Sequence, residues 1–296
     1  MSQSSHESRD GQPAVHLHLI AYNAATRDAI AAQPGWLLLD NQDNLRPDWF
    51  ELWPLRRWFA EQAQAGTLDE AAFYGFFSPK FPAKTQLSHD DVQAFVRQQA
   101  AAGADVVLFS PQPDMGAFFL NVFEQGETFD AGLIEAYEGL LAHIGRTTPL
   151  RSLVMDSRQV VFSNYFVARP AFWREWLQLN EALFQVCEGL DASAPAGLRE
   201  ALCRPTSYHG PAGPAERKVF LQERVASLLL ATQPQWKSVA YNPYGFGWSV
   251  SRLREHPTEA YISDALKMAW RDQRYPQYLQ AFMTVRERFR SGALPR

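Results

Sequence analysis

Two apolar runs in this chain end in the same Ser-Pro break, and together they gather residues suited to an anionic ligand. The first is Phe73-Tyr-Gly-Phe-Phe-Ser-Pro-Lys-Phe81 and the second is Asp105-Val-Val-Leu-Phe-Ser-Pro-Gln-Pro-Asp114. Each is nearly all apolar, as a strand buried on both faces of a mostly parallel sheet requires. Each stops where proline removes a backbone donor. A helical pattern from Asp90 to Ala101 separates them, so the unit reads strand, helix, strand. In such sheets ligands bind outside the carboxyl ends of the strands. Two adjacent strands would therefore deliver Ser78, Lys80 and Lys84 alongside Ser110, Gln112 and Asp114 to one rim. The two lysines either neutralise a diphosphate as point charges or belong to a solvated loop. Asp114 is either a metal ligand or a base, or it caps a helix beginning near Met115.

Other polar residues interrupt apolar surroundings. Leu39-Asp-Asn-Gln-Asp-Asn-Leu-Arg-Pro-Asp-Trp-Phe-Glu51 is dense in short carboxylates and amides after a strand. Asp40 and Asn41 there either bond ribose hydroxyls or a base edge, or close a turn; Asp48 reads as the cap of a helix from Trp49. Asn164 breaks an apolar strand, where its amide needs partners from a ligand or from the protein. Glu223 and Arg224 lie at the margin of the apolar stripe of a helix, Val219 to Ala231, either as a buried pair or aimed at a cleft. His16 and His18 share a strand face with no evident third ligand, which reads as a half-exposed strand.

Composition narrows the classes. The 296 residues are 46 % hydrophobic and carry a net charge of −4, enough for a sizeable core and without the basic footprint of a nucleic-acid binder. Arg286-Glu-Arg-Phe-Arg290 reads as a solvated helix face, and the nine Trp mainly as core. Cys187 and Cys203 have neither CxxC nor zinc spacing, and Cys187 reads as a reduced core thiol. No signal-peptide pattern and no membrane-spanning run occurs, so the expectation is a soluble cytoplasmic protein. GxGxxG, GxxxxGK[ST], GxSxG and HExxH are all missing.

The elements expected to position these residues follow from periodicity. Strands are expected at Val15–Ala21, Trp36–Leu39, the two Ser-Pro runs, Gln159–Ala168 and Trp236–Tyr241. Helices are expected from about Ala25 to Ala32, Trp49 to Gln64, Met115 to Phe123, Asp130 to Ile144 and Ala171 to Cys187. Three more follow, at Val219–Ala231, Glu259–Arg271 and Tyr275–Phe289. Thr206 to Pro214 reads as a mobile loop. The expected fold is α/β: residues 1–12 disordered, then one unit over 13–296, with an α/β nucleotide-binding half (13–170) and a helical completion (171–296).

Three blocks carry a resemblance. They are the Tyr-Gly strand at 74–81 with its basic exit, Ser163-Asn-Tyr-Phe-Val-Ala-Arg-Pro-Ala-Phe-Trp173, and Phe220-Leu-Gln-Glu-Arg-Val-Ala-Ser-Leu228. Their order resembles bacterial glycosyltransferases of the GT-A type that build capsule and O-antigen polysaccharides. In that group a strand reads Tyr-x-Gly-x-x-His-Tyr-Arg-Arg and a late helix carries Glu-Arg-Leu. Here Phe-Ser-Pro-Lys replaces the basic block, so only the charge of Lys80 corresponds, whereas Glu223-Arg224 matches directly.

The resemblance implies a GT-A-like mixed sheet, a nucleotide-sugar donor and a glycan or lipid-linked acceptor reached by peripheral membrane contact. It implies a nucleoside pocket from Tyr22, Asn23, Asp40 and Asn41, and leaving-group compensation by Lys80, Lys84 and Arg224. Asp114 and Glu223 would orient the acceptor or act as base. Such enzymes hold Mn²⁺ or Mg²⁺ on an Asp-x-Asp, which is missing here; Asp43 and Asp114 are the nearest substitutes. Two other classes fit the same residues: a non-catalytic carbohydrate-binding or scaffold protein, and a hydrolase or phosphotransferase on a similar sheet.

Overall fold

Every expected strand forms, and five of the six main strands run in one direction. In the computed structural model, residues 12–210 and 213–290 are described. The central sheet contains β1 (Val15–Ala21), β2 (Leu37–Asp40), β3 (Phe73–Phe77), β4 (Val106–Leu108), β5 (Phe166–Ala168) and β8 (Ser238–Ala240), in the order β2-β1-β3-β5-β4-β8. β1 pairs parallel with β2 and β3, and β4 pairs parallel with β8. β5 runs antiparallel to both β3 and β4 and lies between them, so the two Ser-Pro strands are not adjacent as expected. The carboxyl ends of the other five strands therefore share one edge. The fold is a mixed α/β sheet, mostly parallel, flanked by helices.

β3 explains its Tyr-Gly pair. A Cβ on Gly75 would come within 2.8 Å of Val167 Cγ2 on β5, so the antiparallel strand approaches only because the side chain is absent. Tyr74 lends its backbone carbonyl to Trp173 Nε1 at 2.9 Å. Trp173 is buried and stacks on Phe166 while meeting Phe76 edge-on. Truncating such a ring costs about 3–5 kcal/mol. The cluster around it takes side chains from both the strand-rich first part and the helices that follow, including Trp176, Leu221 and Leu229.

Several expected boundaries shift, each for a local reason. The helix expected from Trp49 is broken into a 3-10 turn, Pro47–Trp49, and a helix, Leu52–Ala65, by Phe50 at φ 45° and ψ −125°. The helix expected over 115–123 is two, Pro113–Ala117 and Val122–Phe129, because Asn121 caps the second through Phe123 and Glu124 N–H. The strand expected from Gln159 shrinks to Phe166–Ala168, since Ser163 and Asn164 both adopt left-handed backbone.

Thr206–Pro214, expected as a loop, belongs to a hairpin of β6 (Pro205–Gly210) and β7 (Gly213–Glu216), with residues 211–212 outside the described part. The expected disorder of residues 1–12 falls on the undescribed residues except for residue 12.

His18 is not half-exposed. It is buried, bonded to the Gly75 carbonyl and stacked on Phe76, and burial lowers its pKa to about 4. Arg286 is not solvated either: it is 8 % exposed and grips both carboxylate oxygens of Glu124 at 2.7 and 2.8 Å. With Lys267, which donates to the Gly116 and Phe119 carbonyls, it ties the C-terminal helices Pro257–Gln273 and Pro276–Arg290 to the region after β4. Among the described residues, no helix is long and apolar enough to cross a membrane.

Candidate active site

The exits of β1 and β3 converge with two other segments on a polar cluster. Tyr22 follows β1 directly, and Ser78 follows β3. Lys84 sits in the short helix Phe81–Thr85 that the Ser-Pro break starts. The left-handed pair Ser163 and Asn164 turns the chain so that Tyr165 enters from the opposite side. Tyr165 and Ser78 share a hydrogen bond of 2.7 Å, and Lys84 Nζ donates to Ser163 Oγ at 3.0 Å while lying 5.5 Å from the Tyr165 ring centre.

Glu51 completes the cluster and was not singled out by the sequence. It follows Phe50, whose backbone conformation is essentially foreign to a non-glycine residue. That conformation turns Glu51 inward at the start of the helix Leu52–Ala65. Its Oε2 is buried and has no hydrogen-bond partner. Burial first, and then the charge of Glu223, raises the Glu51 pKa from the ordinary 4.5 to about 7, while Lys84 and Lys80 pull the other way. Glu223 is raised as well, chiefly by burial, against the pull of Arg224 and Lys84. Burial lowers the Lys84 pKa, partly offset by Glu223 and Glu51. Tyr22 and Tyr165 are both pushed up, first by burial and further by Glu51.

Two carboxyls, one lysine, two phenols and a hydroxyl thus act on one another in a single place. Asn164 joins them from beside Tyr165: both its side-chain Oδ1 and Nδ2 are buried without a partner. Buried polar atoms left unmatched by the protein mark positions where ligand or solvent must complete the bonding. Lys80, exposed on the same short turn, contributes charge to Glu51 and Lys84. A carboxyl titrating near neutrality, beside cations and close to strand ends, can take up or release a proton while negative charge accumulates nearby.

Other expected residues serve the scaffold. Asp114 is fully buried: Ser249 N–H donates to it at 3.0 Å, and the Ser249 and Ser251 hydroxyls bond the same carboxylate. It anchors the 249–251 turn rather than presenting a free base. Asp43 is exposed and paired with Arg57 at 3.0 Å. Neither expected metal ligand therefore offers an uncommitted carboxylate to the cluster. Among the described residues, no group of three or more His, Cys, Asp or Glu side chains is arranged to hold a metal.

Asn23 caps the helix Ala24–Ala31 in a reciprocal box with Thr26. Asp40 is exposed and closes a turn onto Gln42. Asn41 is buried and donates to Asn44, with its Oδ1 unpaired. Asp48 does not cap a helix; it binds Arg46 and Lys218. Ser110 accepts from Phe162 N–H at 2.9 Å, bracing the loop that leads to Asn164. Gln112 has left-handed backbone and opens the helix Pro113–Ala117.

Arg224 does not pair with Glu223. It donates to the carbonyls of Val122 and Phe220 and to Gln125 Oε1. The helix carrying both, Arg217–Thr232, is buried around most of its circumference, so the apolar stripe did not reveal which side each residue faces. Glu51 itself was detectable as a lone carboxylate inside Trp49-Phe-Glu-Leu-Trp53, and Tyr165 as a phenol within the block that carries the resemblance.

No protein-family model matches the chain, and no curated protein or solved structure matches it.

Proposed function

We propose that this polar cluster is the catalytic centre of a glycosyltransferase that uses a nucleoside-diphosphate sugar. The observation that carries this reading is Glu51, whose carboxyl titrates near 7 beside Glu223 and opposite Lys84. The mostly parallel sheet with one inserted antiparallel strand is consistent with a GT-A-like arrangement.

In the proposed step Glu51, ionised, takes the proton of an acceptor hydroxyl. The acceptor oxygen forms a bond to the anomeric carbon as the bond from that carbon to the diphosphate oxygen breaks. The electron pair leaves with the diphosphate, whose growing charge is met by Lys84 and Lys80. Glu223 holds the acceptor or the developing positive charge on the sugar ring. Asn164 offers a donor and an acceptor to a sugar or nucleoside. The acceptor is a surface glycan or its lipid-linked precursor, handled at the cytoplasmic side.

The test is release of nucleoside diphosphate from a panel of UDP-, GDP- and dTDP-sugars, with and without glycan acceptors. Turnover that falls about 10²-fold or more in Glu51→Gln supports the reading. Absence of both binding and turnover across the panel overturns it.

A second reading is favoured by the Glu51–Glu223 pair. Two neighbouring carboxyls with raised pKa also suit hydrolysis of a glycosidic bond, one as acid and the other as base or nucleophile. Cleavage of nitrophenyl glycosides without any nucleotide would select it.

A further inference from the structure

A cavity lies along the helix that carries Glu223. Its volume is about 380 Å³, and its walls include Gln112, Gln125, Phe129, Tyr208, Phe220 and Arg224. Phe220 and Arg224 are one turn apart on the helix Arg217–Thr232, and Glu223 lies between them in sequence.

Three aromatic rings dominate the apolar part. Phe129 is 61 % exposed and Tyr208 54 %, far more than a ring needed for core packing. Tyr208 meets Phe220 edge-on at 5.8 Å, which holds the hairpin ring upright over the cavity.

The polar part is oriented rather than saturated. Arg224 Nη2 donates to Gln125 Oε1 at 2.7 Å, which fixes the amide so that its NH₂ faces away from the guanidinium. Among the described residues that NH₂ has no partner, and neither does the Gln112 side-chain amide. Gln112 is held by its left-handed backbone and by its N–H bond to the Gly247 carbonyl at 2.8 Å. Asp130, also in the wall, is already neutralised by two bonds from Arg217.

We infer that this cavity is a binding site for a neutral sugar residue of the acceptor. Aromatic faces cover the C–H surface of a pyranose, and two positioned amides match its hydroxyls. Asp130 is paired with Arg217, and Arg224 already donates from Nε, Nη1 and Nη2 to protein oxygens, so neither is held out as a free partner for an ionic ligand. The volume lies at the low end of the range for small-molecule sites, roughly 300–1,000 Å³, which suits one or two sugar residues. The assignment as acceptor site rests on the glycosyltransferase reading; the assignment as a sugar site does not.

The test is saturation-transfer NMR on the full chain with methyl glucoside, methyl galactoside and methyl N-acetylglucosaminide, and with octanol as an apolar probe. The expected result is transfer to the C–H protons of at least one glycoside, with affinity reduced about five- to tenfold in Tyr208→Ala and in Phe129→Ala. Gln112→Ala, checked by its melting curve, gives a second readout that does not depend on the aromatic rings. Binding of octanol but of no glycoside, or glycoside binding indifferent to all three substitutions, overturns the inference. Glycoside binding by a protein that turns over no nucleotide sugar overturns the catalytic reading alone. Turnover of nucleotide sugar to water by a protein that binds no glycoside overturns the sugar site alone.

Discussion

Glu223 and Arg224 are neighbours in the chain and serve different sites. Arg224 is locked to Val122, Phe220 and Gln125, while Glu223 acts electrostatically on Glu51 and Lys84. Successive helical residues point about 100° apart, so one helix can serve two sites. The pair therefore separates under mutation. Arg224→Leu leaves two backbone carbonyls and a glutamine oxygen stripped of their donor in the interior, and should cost about 3–5 kcal/mol. Glu223→Gln should melt close to the parent protein but turn over at least tenfold more slowly. Chemical denaturation beside a rate assay checks both.

Gly126 tests the same anchor from the opposite side. A Cβ there would sit 2.6 Å from Arg224 Nη2. Gly126→Ala should displace the guanidinium and destabilise by about 1–3 kcal/mol, the usual range for overpacking. A melting point unchanged from that of the parent would show that Arg224 can move freely.

Glu51 links activity to stability through pH. Its folded pKa, about 7, lies above the ordinary 4.5. Below pH 4.5 the carboxyl is protonated whether folded or unfolded. Between 4.5 and 7 the unfolded chain releases the proton and the folded chain keeps it, so stability falls as pH rises and levels off above 7. The full effect is on the order of 3 kcal/mol. Glu51→Gln should remove this slope and make the protein more stable than the parent at pH 8, while nearly abolishing transfer. In the parent, kcat/KM should rise through pH 7 as Glu51 ionises.

Lys84 should move that profile. Its charge holds the Glu51 pKa down, so Lys84→Met should shift the acidic limb to higher pH. Losing a charge-assisted contact to the diphosphate should also weaken UDP binding about tenfold or more. Calorimetry with UDP and a pH–rate profile read the two effects independently. A profile left in place would show that Lys84 and Glu51 are not coupled.

Asp114 should behave as structure. Its carboxylate takes the Ser249 backbone N–H and two serine hydroxyls in the interior. Asp114→Ala should cost about 2–4 kcal/mol, yet leave turnover per folded molecule and any response to EDTA unchanged. A fall in specific activity at an unchanged melting point would return Asp114 to the catalytic set.

The strands, and one of the two expected exits, could be read from the residues alone. Buried parallel strands are nearly continuous apolar runs, so Phe73–Phe77 and Val106–Leu108 were legible, and proline marked where each had to stop. That placed Ser78, Lys80 and Lys84 on one exit correctly. Which polar residues meet is set by packing between segments far apart in the chain. Glu51 looked like one more residue of an amphipathic helix, because nothing local reveals the positive φ of Phe50 that breaks the helix before it. Ser163 and Asn164 read as strand because their neighbours are apolar, and tertiary contacts overrode that pattern. Asp114, Asn23 and Asp40 have the right chemistry for a site, but each bonds groups within the protein. Periodicity reports which faces avoid water. It carries no information about which two carboxyls, nearly two hundred residues apart in the chain, are brought close enough to share a field.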